Sequence, residues 1–229
     1  MDTVEEVLHR FCVHVTATYQ YARTSSATTS AGVGILPQVS PRGTPFFLVA
    51  SSKNALQPGG SGTLSYEFAC QRGGKTLVAE TKSQHAGAAW TVLLDRYNLG
   101  VTALPSVELF DKSWGRPPIL HAPNVLPVGA EVALGQYEAK PGKGTGLSVR
   151  VGSISKSAEL ATGGTYRIAW KAPCRVIQGA PLAVLDVVSG HAALFAMCSS
   201  SSVGRSTEAE AIPLPYLIAA VKAQRPPAF

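Results

Sequence analysis

The sequence predicts an all-β protein: two packed six-stranded β-barrels with a short helix at each end. Three observations predict it. Short apolar segments with period-two alternation recur along the chain. The 22 glycines and 16 prolines spread over 229 residues supply the turns that many short strands require. Helical spacing of apolar residues occurs only near the two ends. The periodicity alone leaves a β-sandwich open as an alternative.

Composition limits the classes of function. With 45% hydrophobic and 15% charged residues, the chain has the composition of a globular protein and not of a disordered one. The net charge of +6 is modest, and no dense run of Lys or Arg accompanies it, so nucleic acid is an unfavoured partner that stays open. No segment approaches the roughly 18 apolar residues of a membrane span.

The first six residues and the cysteines predict the compartment. Residues 1–6, MDTVEE, are acidic and no long apolar core follows them, which is not typical of a secretory signal. The four cysteines (12, 70, 174 and 198) form neither a C-x-x-C pair nor a zinc-ligand spacing. We therefore expect a cytoplasmic protein that is not secreted, with reduced thiols and without metal or cofactor.

An N-terminal helix and a first barrel are predicted over residues 1–105. The capping-box spacing of Thr3 and Glu6 and the helical spacing of Val4, Val7 and Phe11 predict a helix over residues 1–10. The first barrel then covers residues 11–105, and Ser/Thr-rich residues 23–30 are expected to be a mobile loop. Its strands are expected at 12–21, 31–37, 45–52, 64–70, 76–80, 89–94 and 99–104.

A linker over residues 106–120 separates the first barrel from a second one, because periodicity is lost there and prolines accumulate. The second barrel covers residues 121–212. A closing helix and tail cover residues 213–229, with Pro213 and Pro215 at the helix start. Strands of the second barrel are expected at 131–136, 147–155, 165–170, 182–187 and 192–198.

Several short segments resemble those of one protein family in order and spacing. They are GVGIL at 32–36, FLVASSK at 47–53, DRYNLGVTAL at 95–104, LPVGAEV at 126–132, SVRVGSISK at 148–156, APCRVIQGAPLAVL at 172–185 and IPLP at 212–215. Together they resemble the HtrA/Deg branch of the trypsin-like serine proteases. That family has the patterns G-S-G-F, T-A-A-H, D-x-x-D-L-A-L-L, L-x-x-G-x-x-V, G-x-V-S, G-x-S-G-G-P-L and A-I-P at these places. The resemblance covers about residues 11–224 and implies a fold of two barrels with a cleft between them.

The resemblance also implies which residues occupy the catalytic positions. The serine position falls on Gln178, the histidine position on Lys53 and the aspartate position on Asn98. A serine protease needs a hydroxyl nucleophile, a base that is neutral near pH 7 and a carboxylate that orients it. None of the three residues supplies its group, and Val176 replaces the glycine of the oxyanion loop. The resemblance therefore implies a catalytically inactive protease homologue with Lys53, Asn98 and Gln178 in its cleft.

The resulting hypothesis is a pseudoprotease that acts as a structural or protein-binding subunit of a larger assembly, for example a cytoskeletal one. One alternative is a hydrolase with a non-standard nucleophile, in which Cys174 would react with His85 or His121 as base. The other is a weakly basic nucleic-acid-associated β protein, for which Lys140, Lys143, Arg150 and Lys156 around one loop would supply the basic patch.

Overall fold

The computed structural model describes residues 3–21, 24–39, 45–53, 63–72, 75–83, 91–105, 118–120, 126–140, 144–159, 164–185, 190–200 and 204–223. Within these ranges, the N-terminal half contains helix α1 and seven strands. They are α1 (Val4–Phe11), β1 (Cys12–Tyr21), β2 (Thr24–Val39), β3 (Pro45–Ser52), β4 (Thr63–Arg72), β5 (Lys75–Ser83), β6 (Thr91–Leu94) and β7 (Leu99–Pro105).

The described residues of the C-terminal half form six strands and a closing helix. They are β8 (Glu131–Lys140), β9 (Gly144–Lys156), β10 (Tyr166–Cys174), β11 (Pro181–Leu185), β12 (Ala192–Cys198), β13 (Ser206–Pro213) and α2 (Leu214–Ala223). The all-β prediction and the helices at both ends are confirmed. None of the described helices combines the length and apolar character needed to cross a bilayer.

The N-terminal strands form one antiparallel sheet in the order β5-β4-β1-β2-β3-β7-β6. These seven described strands overlap the seven predicted segments and are one more than a six-stranded barrel contains. The largest correction concerns Thr24–Ser30, predicted as a mobile loop, which is the first half of β2. This segment pairs residue by residue with β1, from Tyr21 opposite Thr24 to Val15 opposite Ser30. Threonine is β-branched and fits a pleated strand, so cross-strand pairing outweighs the loop-like polarity of the segment.

The C-terminal strands close into a barrel in the order β10-β13-β12-β11-β8-β9, which confirms a six-stranded barrel in this half. β13 was missing from the predicted strands. Its outward residues Glu208 and Glu210 are exposed, whereas Ala209 and Ala211 face inward and are buried. Small apolar residues between acidic ones give a weak apolar signal, and pairing of β13 with β10 and β12 fixes the strand.

Helix α1 contacts both halves of the molecule. It begins with the predicted capping box, in which the Thr3 hydroxyl accepts from Glu6 N (3.2 Å) and the Glu6 carboxylate accepts from Thr3 N (2.6 Å). Its buried residues are Val7, Leu8 and Phe11, and α1 packs against β4 of the sheet and β8, β11 and β12 of the barrel. Burial of these apolar side chains holds the halves together.

Candidate functional site

The site is centred on a tight turn that leads into β11. Ala180 N donates to Ile177 O (3.1 Å) across the turn, and Gly179 has φ of +84°. That φ at the third residue is what a type II turn requires, and glycine adopts it without strain. The turn is tied to the end of β12, because Gly179 N donates to Cys198 O and Cys198 N to Ala180 O, both at 2.9 Å. This geometry directs Gln178 toward the N-terminal sheet.

The side chain of Gln178 is hydrogen-bonded to both halves of the molecule. It is 8% exposed. Its Nε2 donates to Asn98 O and to Ser199 O, each at 2.8 Å, and its Oε1 accepts from Asn98 Nδ2 at 3.4 Å. Asn98 precedes β7 in the sheet and Ser199 follows β12 in the barrel. Both amide protons of Gln178 are therefore used in bonds that bridge the two halves.

Asn98 is held in an unusual backbone conformation. It ends the short 3₁₀ turn Asp95–Tyr97 with φ of 53° and ψ of 30°, in the left-handed region that asparagine tolerates better than most residues. Its N–H donates to Asp95 O (3.2 Å). Its carbonyl oxygen accepts from Gln178 Nε2 (2.8 Å) and from Lys53 N (2.9 Å).

Lys53 follows β3 and reaches the same place from the other side. Its Nζ donates to Asp95 Oδ1 at 2.6 Å, with the Lys53 side chain 34% exposed and that of Asp95 75% exposed. The structure thus brings Lys53, Asn98 and Gln178 together around the Asn98 carbonyl. An ammonium group that is paired with a carboxylate has no lone pair with which to accept a proton.

A buried glutamine holds the loop that precedes Gln178. Gln136 is fully buried; its Nε2 donates to Arg175 O (2.6 Å) and its Oε1 accepts from Ile177 N (3.0 Å). Gln136 was not predicted from the sequence, because its partners on the loop are a backbone carbonyl and a backbone N–H. Its position in an otherwise apolar strand, VALGQY, is the only signal that could have singled it out.

An ion pair continues this network to the surface. Gln136 Nε2 also donates to Glu138 Oε1 (2.7 Å), and Arg150 Nη2 donates to Glu138 Oε2 (2.8 Å). Burial acts to raise the pKa of Glu138, but the hydrogen bonds from Gln136 and Arg150 and the positive charge of Arg150 outweigh it and hold the pKa below its ordinary value. Glu138 is therefore an ionised anchor for Gln136.

Cys174 has the character of a core thiol. It lies at the end of β10 and is 6% exposed, and burial raises the pKa of its thiol, which disfavours the reactive thiolate. His85 and His121, its predicted bases, lie outside the described residues. His14 lines the same groove as Cys174; burial lowers its pKa, and its ring packs against Tyr137 with centroids 5.4 Å apart.

Two concave surfaces lie beside the Gln178 turn. A cavity of about 380 Å³ on one side is lined by Asn98, Ser199 and several charged residues, among them Arg96 and Lys156. A groove of about 720 Å³ on the other side is lined by the loop before Gln178 and by β8 and β9.

The predicted basic patch is divided between these surfaces, since Arg150 lines the groove and Lys156 lines the cavity. The side chain of Lys140 and all of Lys143 lie outside the described residues. Within the described ranges, no cluster of three or more His, Cys, Asp or Glu residues is placed to hold a metal ion.

Comparison with known proteins adds one finding. No family model and no curated protein matches the sequence. The chain is similar to a solved structure described as "Structure of GrC", that is granzyme C, a trypsin-like serine protease. The TM-score is 0.57, the sequence identity 8%, and the match covers 94% of this chain and 93% of the other. The fold is trypsin-like. At this identity the likeness shows the fold alone.

Proposed function

We propose that this chain is a pseudoprotease, a trypsin-like domain without proteolytic chemistry that serves as a structural or protein-binding subunit. One observation carries the proposal. Gln178 occupies the serine position of the family that the sequence resembles. It is buried, and its Nε2 donates both protons to backbone carbonyls, one from each half of the molecule. The residue at the nucleophile position therefore links the two halves by hydrogen bonds and carries no nucleophilic group.

The neighbouring residues support the same proposal. Proteolysis by the trypsin-like route needs a base that takes the proton of the nucleophile and a carboxylate that orients this base. Lys53, at the histidine position, is ion-paired with Asp95. Asn98, at the aspartate position, carries a neutral amide that cannot stabilise a positive charge on a base. The three groups stabilise the fold, and none of them can take a proton from a nucleophile.

The concave surfaces of the fold support a role in a larger assembly. A trypsin-like body offers concave surfaces between its halves that can recognise proteins without chemistry. We further propose a cytoplasmic, and specifically a cytoskeleton-associated, assembly. Cys12, Cys174 and Cys198 are buried free thiols, which suits a reducing compartment.

The test of inactivity uses two covalent probes on the native protein. The probes are a serine-directed fluorophosphonate and a cysteine-directed peptide ketone. Each should label the native protein no more than it labels the heat-denatured protein. Active trypsin serves as the positive control. Labelling of the native protein that disappears in Cys174→Ala would instead establish the hydrolase alternative and overturn the proposal.

The test of assembly uses the native protein from its own cells. Size-exclusion chromatography after mild crosslinking should show it in a particle much larger than its 23.9 kDa chain, with defined protein neighbours. Elution as a monomer, or nuclease-sensitive elution with nucleic acid, would contradict the assembly proposal and leave the inactivity proposal untouched.

A further inference from the structure

The groove of about 720 Å³ beside the Gln178 turn carries more positive than negative charge on its described lining. We name it the arginine groove, after Arg150, Arg175 and Arg205, which line it together with one carboxylate, that of Glu138. Arg150 is ion-paired with Glu138. Arg175 and Arg205 are exposed, and neither forms an ion pair with another described residue. Two positive charges in the arginine groove therefore have no carboxylate partner among the described residues.

The floor of the arginine groove is partly apolar. Tyr137 and Cys174 are almost fully buried beneath it, and Ile177 contributes a half-buried side chain. Such a surface accommodates alkyl side chains between the charged positions. Its volume of about 720 Å³ lies in the range of binding clefts for organic ligands of several hundred cubic ångströms and exceeds what a single small anion would fill.

A backbone irregularity adds hydrogen-bonding groups to the rim. The register of β10 with β13 jumps from Ala169 opposite Glu208 to Cys174 opposite Ser206, and its register with β9 ends at Trp170. Residues 171–173 are thus unmatched in the ladders of both described neighbours. Ala172 and Pro173 line the arginine groove. Bulged segments of this kind present peptide groups outward instead of to a neighbouring strand.

We propose that the arginine groove binds an acidic peptide segment of a partner protein. The carboxylates would pair with Arg175 and Arg205, since guanidinium groups bind carboxylates in a two-point manner. Alternating apolar side chains would rest on Tyr137 and Ile177, and the peptide backbone would meet the bulge at residues 171–173.

An extended peptide fits these features better than a nucleic acid does. Single-stranded nucleic acids are held by stacking on successive aromatic side chains. Tyr137 and His14 are the aromatic rings on the described lining, and they already pack against each other. The inference rests on the proposed function, because it gives the chemistry of the protein that the pseudoprotease would bind.

The experiment uses two fluorescein-labelled peptides, one of alternating aspartate and leucine and one of alternating asparagine and leucine, with the whole chain. Fluorescence polarisation at low salt should show binding of the acidic peptide only, weakening as salt screens the charges. Arg175→Gln combined with Arg205→Gln should weaken binding by about tenfold or more, the loss expected for two charge-assisted hydrogen bonds.

The control is Arg96→Gln, at an exposed arginine that lines the smaller cavity and not the arginine groove. It removes one positive charge from the whole protein and should leave peptide affinity unchanged. The side chain of Arg175 can be replaced without breaking the contact to Gln136, since that contact is made by the Arg175 carbonyl. Thermal unfolding of each variant verifies that it is folded.

Three results would overturn the inference. The first is equal affinity for the two peptides. The second is that Arg96→Gln weakens peptide binding as much as the double variant does. The third is that oligothymidylate binds more tightly than the acidic peptide and that the double variant loses this oligothymidylate binding. Mass spectrometry of the recovered peptide separates this inference from the proposed function. Cleaved peptide would refute the pseudoprotease, whereas intact peptide that does not bind would refute the groove alone.

Discussion

At the scale of single residues, the feature with the largest expected effect on stability is Gln178, whose side-chain amide protons are both hydrogen-bonded. Gln178 donates to Asn98 O and Ser199 O and is nearly inaccessible to water. A buried carbonyl that loses its donor keeps the full penalty of having left water. The identity of residue 178 should therefore affect stability more than it affects any reaction.

Gln178→Ala should lower the free energy of unfolding by about 1–3 kcal/mol, the cost of leaving a buried polar group unsatisfied. The Ser199 carbonyl contributes most of it, because the Asn98 carbonyl retains the bond from Lys53 N. Urea unfolding followed by fluorescence measures the change. Lys53→Gln is the comparison: it breaks a largely exposed ion pair and should cost less than about 1 kcal/mol. A smaller loss for Gln178→Ala than for Lys53→Gln would contradict this view of the site.

Gln178→Glu tests the direction of the hydrogen bonds. The introduced carboxylate would face two carbonyl oxygens, so its folded-state pKa should lie above the unfolded value of about 4.3. A raised carboxyl pKa contributes stability below the unfolded pKa and loses it as pH rises. The stability deficit of Gln178→Glu relative to the native protein should therefore be larger at pH 7 than at pH 5. A deficit independent of pH would show that residue 178 does not donate.

The sequence could predict part of this site. The order and spacing of short motifs led to Lys53, Asn98 and Gln178, and these residues do meet in the structure. The bonds from Gln178 Nε2 to the carbonyls of Asn98 and Ser199 could not be predicted, because their acceptors are backbone carbonyls and any residue type provides one. The ion pair of Lys53 with Asp95 was also missed; it joins residues 42 positions apart, and surface charges carry little information about their partners.

At the scale of elements, apolar alternation predicted most strands and failed where side chains are small or polar. β12, AALFAMC, is buried along its whole length and its apolar run is evident in the sequence. β13 and the first half of β2 have Ala, Ser, Thr and Glu in place of large apolar residues. Their strand structure is set by neighbours that supply the ladder, a tertiary effect that local propensity does not contain.

The packing of β9 against β10 gives a prediction at this scale. A Cβ on Gly152 would lie 2.6 Å from Ala169 O and 2.7 Å from the Trp170 ring. Because the first contact is with backbone, the paired strands must shift, and Gly152→Ala should destabilise the protein by about 1–3 kcal/mol. Gly204→Ala is the control, since its Cβ would meet nothing within 4 Å, and it should change stability by less than about 0.5 kcal/mol. Equal unfolding midpoints in urea would contradict the close approach of the strands.

At the scale of the whole molecule, the N-terminal sheet and the C-terminal barrel are joined by two different means. Helix α1 buries Leu8 and its apolar neighbours against both, and Gln178 adds directional hydrogen bonds. The loop before Gln178 is fixed separately, by Gln136 and by the buried side chain of Val176, which is 1% exposed. If the proposed function is right, the residues at the three catalytic positions and the geometry of this loop are two independent differences from an active protease.

Restoring the three catalytic groups together should therefore leave the protein inactive. The variant Lys53→His, Asn98→Asp, Gln178→Ser returns a base, a carboxylate and a hydroxyl, but Ile177 N still donates to Gln136 Oε1 and Val176 still anchors the loop in the core. Stabilisation of an oxyanion needs N–H groups directed at the reacting carbonyl, and a loop locked in this way is not free to direct them there. Fluorophosphonate labelling followed by intact-mass analysis should detect no adduct on the folded triple variant.

An adduct on the introduced serine at position 178 would contradict that expectation, provided that it disappears when Lys53 is restored. It would mean that only the reacting groups were lost and that the loop still has a protease geometry. Adding Val176→Gly to an unreactive triple variant then separates the remaining causes. Labelling gained at this step would mean that the buried Val176 side chain had prevented the reaction. If labelling is still absent, the hydrogen bonds that Gln136 makes with the loop prevent it. In either case the divergence of this chain from a protease would extend beyond its three catalytic positions to the backbone that surrounds them.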